Sequence, residues 1–239
     1  MMNIGATANG LVPVIRKSHF DDEATEFLAQ YCPEALEKPI PTPIVDIAKH
    51  KMGLTVITDV RLSEDFSIFG QMCFTGGLAT IYDKDEDEYR DMLVKRGTMF
   101  VDPDTYFLRN LGCMNNTVAH ECFHWYKHRN YHILQSVLDG TQSIACRCPS
   151  NVKDELFSKT WTDEDWMEWQ ANGIAPRILM PKQTVHKALD KLVSESKSNA
   201  FISAGLMRPT QWIIEQLANL YQVSKTSAGI RINELGISL

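Results

Sequence analysis

The sequence predicts an α+β fold, a small antiparallel sheet packed on helices, with a helical, helix-turn-helix-like unit at the C-terminus. Three observations carry this. Short β-branched and aromatic runs cluster between residues 54 and 102, helical periodicity takes over after Gly112 and persists, and Gly, Pro, Ser and Asp mark the joins. A chain of 239 residues suits one large domain, or one domain with a small appendage. We divide it into residues 1–185 and a C-terminal helical unit over residues 186–239.

Asp21 or Asp22 can cap a first helix reaching Tyr31, with Phe27, Leu28 and Tyr31 on one stripe and Pro33 as its stop. After the stiff connector EKPIPTP, Thr42 and Pro43 fit the N-cap and first turn of a helix closed by Gly53. The runs LTVIT, IFGQMCF, LATIYD and TMFVD read as strands, mostly antiparallel because their connections are short. The acidic run DKDEDEYRD between them reads as a solvated loop. It is not a calcium loop, because Glu88 stands where Gly is required and Val94 where Glu is required. Asn115 or Asn116 can cap a long helix ending near Gly140, and Thr162 with Asp165 forms a capping box for the next. A further helix is expected at about 183–196, and the tail reads as helix, tight turn, helix.

Composition narrows the function. Lys and Arg number 24 against 30 Asp and Glu, a net charge of −6, which argues against nonspecific nucleic-acid binding. Six cysteines are too few for a disulfide scaffold in a chain this long. Cys146 and Cys148 read as ordinary thiols, since a single CxC lacks a partner pair for a metal. The first residues show no signal-peptide pattern, and no run approaches the roughly 20 apolar residues of a membrane span. A cytoplasmic protein with no membrane contact is the expectation.

The chemistry lies in His120-Glu121-Cys122-Phe123-His124. Helical positions i and i+4 share a face, so both imidazoles can converge on one metal ion. Glu121, about 100° around the helix, can reach a water at that ion. Apolar neighbours such as Val118, Ala119 and Trp125 suggest a buried, rigid helix.

A catalytic Zn²⁺ takes three protein ligands and keeps one position open, so the third ligand decides the case. The extended HExxHxxGxxH pattern is excluded, because Lys127 and Asn130 occupy its last two positions. A glutamate from a second helix fits at Glu168, with Asn172 one turn later as a hydrogen-bonding support for a ligating imidazole. His128 and His132 continue the four-residue spacing. On a straight helix, however, each step of four drifts about 40°, which carries His132 off the shared face. Both read mainly as surface histidines, with a lesser claim to be the third ligand.

Together, AHECFHWYKH and the later MEWQANGIAPRILMP resemble the ImmA/IrrE-type metallopeptidases, whose signature pairs HExxH with a Glu-x-x-Ala-Asn helix ending near Leu-Met-Pro. The matching residues downstream are Glu168, Ala171, Asn172 and Leu179-Met180-Pro181. The resemblance covers roughly residues 40–185. It implies a zincin-like domain in which His120, His124 and Glu168 hold zinc and Glu121 is the general base. It further implies a cytosolic protease acting on a helix-turn-helix repressor. Pro176 departs from the pattern and should kink the helix just past the ligand. TMFVD is the candidate edge strand for an extended substrate.

The tail supports a helix-turn-helix shape only partly, since Gln222 occupies a turn position that favours Gly. Residues 201–239 carry Arg208, Lys225 and Arg231 against Glu215 and Glu234, too weak a basic face for a DNA reader. The competing reading is a noncatalytic regulatory module, binding a repressor or DNA, with a structural or vestigial metal site. An intact Glu121 favours the enzyme, because a structural zinc has no use for that carboxylate.

Overall fold

The structure, a computed structural model, describes residues 12–140, 145–149 and 161–239, the side chains of Leu108 and of 145–149 excepted. Helix α1 spans Phe20–Tyr31 and buries Phe20, Ala24, Phe27 and Leu28, the spacing of one helical face. A short helix α2 (Glu34–Glu37) and α3 (Ile44–Asp46) follow, α3 widening into a π-type turn over Ile47–Lys51. Gly53, at φ +69°, provides the left-handed residue that ends it. Thr42 does not cap this helix. Its hydroxyl donates to the Ile178 carbonyl (3.0 Å) and ties the connector to a later helix.

Strands β1 (Thr55–Ile57), β2 (Ile68–Cys73), β3 (Gly77–Asp83), β4 (Glu88–Val94), β5 (Thr98–Val101) and β6 (Ala145–Pro149) form two sheets. The larger has the order β1-β5-β2-β6, antiparallel except for the β1–β5 pair. The β3–β4 hairpin stands apart and covers one face of it. Strand β5 shows the consequence: Met99 and Val101 face the helices, Phe100 faces the hairpin, and all are buried.

Two expectations are corrected here. The end of the acidic run is strand β4, not loop, with Tyr82 opposite Tyr89 and Asp83 opposite Glu88. Charge hid it, because most of its side chains face solvent. TMFVD is not an edge either: β5 is bonded to β1 on one side and β2 on the other, so among the described residues the free edges are β1 and β6.

Helix α4 (Leu111–Phe123) starts earlier than expected, capped by the Asn110 side chain accepting from the Cys113 amide at 2.9 Å. It passes through a π-type turn, His124–His128, into α5 (Arg129–Asp139), which ends at left-handed Gly140. Helix α6 (Asp163–Leu179) opens with the Thr162/Asp165 capping box and continues through Pro176. Its Gly173 lies against the Phe20 ring, where a Cβ would come within 2.1 Å, so α1 and α6 pack closely.

Helices α7 (Lys182–Ser196), α8 (Ala200–Ser203), α9 (Pro209–Tyr221) and α10 (Lys225–Glu234) complete the chain. A second apolar cluster joins Val185, Leu189, Leu217, Tyr221 and Ile232, and begins at Met180. Gln222 adopts the left-handed conformation between α9 and α10. That turn sits on the start of α4: Asn115 donates to the Gln222 carbonyl (3.0 Å), and a Cβ on Gly112 would meet Ser224 and Val223 backbone at 2.3–2.4 Å. Among the described residues no helix is long and apolar enough to cross a membrane.

Candidate metal centre

Helix α4 presents His120, the π-type turn that continues it presents His124, both fully buried, and α6 brings in Glu168. The two Nε2 atoms are 2.9 Å apart, and the Glu168 carboxylate oxygens lie 3.2 Å from each. Such spacings match a coordination shell with bonds of about 2.0–2.1 Å and angles of about 90–100°. One ligand atom from each residue falls within 4.8 Å of the others, so these three can hold a metal ion.

Only Glu168 has appreciable exposure, 20% of its side chain, so the centre opens to solvent along that carboxylate.

The electrostatics fit a cation. Burial lowers the pKa of His124 against the opposing pull of Glu168, which leaves a neutral, ligand-competent imidazole. Burial alone would raise Glu168, yet the flanking His120 and His124 hold its carboxyl well below the usual range. An ionised carboxylate thus meets two inward-facing imidazole nitrogens.

Glu121 is fully buried, and neither carboxylate oxygen has a hydrogen-bond partner among the described residues. Burial pushes it up to about 8, with Glu168 adding to the rise and His120 opposing it. A carboxyl group left unsatisfied beside the cluster is costly for the fold unless a water or substrate group meets it.

Gly70 makes room for this side chain. A Cβ there would approach Glu121 Oε1 at 2.7 Å and Thr117 Cγ2 at 2.6 Å. Sequence reading passed over Gly70, although a glycine inside a strand run such as IFGQMCF often marks a close approach.

The outer support differs from the expectation. Asn172 is half-buried and makes no hydrogen bond to either imidazole among the described contacts. Instead His124 Nδ1 meets His128 Nδ1 at 3.0 Å, and His128 Nε2 meets Gln170 Oε1 at 3.0 Å.

The reading of His128 and His132 as surface residues is also corrected, since they are 0% and 2% exposed. The cause is the π-type turn. With about 4.4 residues per turn it falls about 30° short of a full circle over four residues, cancelling the drift of a straight α-helix. His132 stacks on Phe74 with ring centroids 4.0 Å apart.

Burial raises the thiols of Cys73, to about 12, and of Cys122, which makes both packing groups rather than thiolate ligands. The side chains of Cys146 and Cys148 lie outside the described residues. A cavity of about 470 Å³, bounded by Leu62, Ser67, Ile68 and Tyr89 among others, includes none of the residues of the centre. No family model matches this chain, and no curated protein matches it.

Proposed function

We propose that this chain is a Zn²⁺-dependent cytoplasmic endopeptidase that hydrolyses a peptide bond in a regulatory protein. A helix-turn-helix repressor is the substrate class to which the ImmA/IrrE resemblance points. One conjunction carries the reading: a two-imidazole, one-carboxylate cluster with a second, unsatisfied carboxylate buried beside it. A structural zinc site would explain the first feature and leave the second without a purpose. The nitrogen-rich donor set suits Zn²⁺ better than Mg²⁺ or Ca²⁺, which favour all-oxygen cages.

His120, His124 and Glu168 would hold the ion, which when bound supplies Lewis acidity to the scissile carbonyl and to the attacking water. Glu121 takes one proton from that water as its oxygen bonds to the carbonyl carbon. It then delivers the proton to the amide nitrogen as the C–N bond breaks. Burial raises the proton affinity of Glu121 above that of a free carboxylate, which suits it to hold the proton between the two transfers. The extended substrate lies along β6, which among the described residues is a free edge, next to β2, whose Gly70 touches Glu121.

The C-terminal unit acts as a packing or partner-docking element and not as a DNA reader. Arg231 is buried in ion pairs, and Lys225 pairs with Glu215. The deciding experiment incubates the Zn²⁺-loaded protein with a candidate helix-turn-helix repressor, with and without a chelator. Chelator-sensitive cleavage is expected. Stoichiometric zinc with no cleavage of that repressor or of other regulatory partners would favour the noncatalytic module.

A further inference from the structure

A chain of hydrogen bonds leaves the centre and ends on the backbone of the N-terminal segment. Gln170 Nε2 lies 2.7 Å from the Pro13 carbonyl oxygen, Gln170 Oε1 lies 3.0 Å from His128 Nε2, and His128 Nδ1 lies 3.0 Å from His124 Nδ1. Every member is inside: Gln170 is 1% exposed and both imidazoles are 0% exposed. Val12 and Ile15, on either side of Pro13, are themselves buried, which anchors the terminal carbonyl.

A carbonyl oxygen can only accept, so the direction of each bond follows from Pro13 inward. The Gln170 amide must turn its NH₂ toward Pro13, which leaves its oxygen facing His128. His128 Nε2 must then carry the hydrogen and donate to that oxygen. In a neutral imidazole the other nitrogen is a lone pair, so His128 Nδ1 accepts. His124 Nδ1 is left as the donor, and His124 Nε2 has no hydrogen. It is a lone pair 3.2 Å from a Glu168 carboxylate oxygen, an arrangement that repels unless a cation lies between.

We propose that the Pro13 carbonyl, acting through Gln170 and His128, sets the tautomer of His124 and aims its Nε2 lone pair at the metal position. Gln170 and His128 are therefore positioning residues: they touch neither ion nor substrate, and act through His124. The inference deepens the metal reading above and rests on it. The π-type turn carries the relay, since His124 and His128 are its first and last residues. Outer partners of ligating histidines typically contribute 10–100-fold to metal affinity.

The test uses the full chain and Zn²⁺ alone. Long-range ¹H–¹⁵N correlation on the metal-free wild type should show His124 protonated at Nδ1 and His128 at Nε2. Competition against a chromogenic chelator should show Gln170→Leu binding Zn²⁺ about 10–100-fold more weakly. Gln170→Glu, which keeps an acceptor toward His128 but loses the donor toward Pro13, should recover affinity to within about threefold. That rescue separates tautomer control from packing, since both variants lose the Pro13 tether. A hydrogen on His124 Nε2 in the metal-free protein overturns the inference, as does wild-type affinity in Gln170→Leu, or a Gln170→Glu as weak as Gln170→Leu. If the wild type itself binds no Zn²⁺, the metal reading fails, while the spectra still report whether the relay is set as described.

Discussion

Helix α6 carries two buried charged clusters, at Glu168 and at Arg177, about 13 Å apart along its axis. Their chemistry is opposite. Around Arg177 the charges cancel: Arg177 and Arg231 face Asp21 and Glu234, with Arg177 Nη2 3.1 Å from Glu234 and Arg231 bonded to Asp21. Arg231 Nε also donates to the Met180 carbonyl (3.1 Å), capping the C-terminal end of α6. Around Glu168 the groups are of another kind: two imidazoles, His120 and His124, meet the carboxyl of Glu168 beside that of Glu121, a donor set that a metal ion takes. A cluster that neutralises itself holds a fold together, whereas a cluster rich in buried acceptors is built for something that arrives from outside.

The largest expected effects break the acceptor-rich cluster. Glu168→Ala should weaken Zn²⁺ binding by more than about 100-fold, beyond the range for outer partners. In the metal-free protein it removes a carboxylate that His120 and His124 hold ionised, so stability should fall modestly. Zinc competition and thermal melts in chelator check both halves. Unchanged zinc affinity would point to a different third ligand. Glu121→Gln should keep the zinc but lower the cleavage rate by about 10²–10⁴-fold, the usual contribution of a general base.

The self-neutralising cluster should answer in the reverse sense. Arg231→Ala leaves Asp21 only its 3.7 Å contact with Arg177 and should cost about 1–3 kcal/mol of folding stability, with zinc affinity per folded molecule unchanged. Arg231→Met, which refills the volume, should be milder. Urea titration measures both, and a zinc defect equal to that of Glu168→Ala would erase the distinction between the clusters. Gly70→Ala comes next. Its added methyl should cost about 1–3 kcal/mol through overpacking and displace Glu121, lowering cleavage while zinc stays bound.

The acceptor-rich cluster was legible in the sequence for a clear reason. His120, Glu121 and His124 belong to one helix with a fixed period, and Glu168 follows a capping box that sets the phase of the second helix. The other cluster was invisible, since Asp21, Arg177 and Arg231 are scattered over 210 positions and meet only through packing. Strand β4 was hidden because its outward side chains are charged. The place of β5 inside the sheet depends on β1 and β6, which are distant in sequence. His128 and His132 failed differently: the period was read correctly, but a backbone that adds a fraction of a residue to one turn moved them inward. No residue between His124 and His128 announces that turn.

His132 gives the smallest and most specific test of that last point. Burial holds its pKa down at about 3, with His124 nearby adding to the shift, and its Nε2 has no hydrogen-bond partner among the described residues. The folded value lies below the unfolded value of about 6.5, so the unfolded chain takes up the proton first. The stability this neutral ring contributes is therefore complete above about pH 6.5 and is lost as pH falls toward 3. Full titration of one such group corresponds to at most about 1.4 kcal/mol per pH unit. His132→Phe keeps a ring on Phe74 and removes the proton site. Urea titrations of the metal-free protein between pH 6.5 and 4 should show a shallower loss of stability in the variant, by close to one proton. Parallel curves for wild type and variant would mean that His132 is already protonated or open to water, and that the widened turn does not carry it into the core.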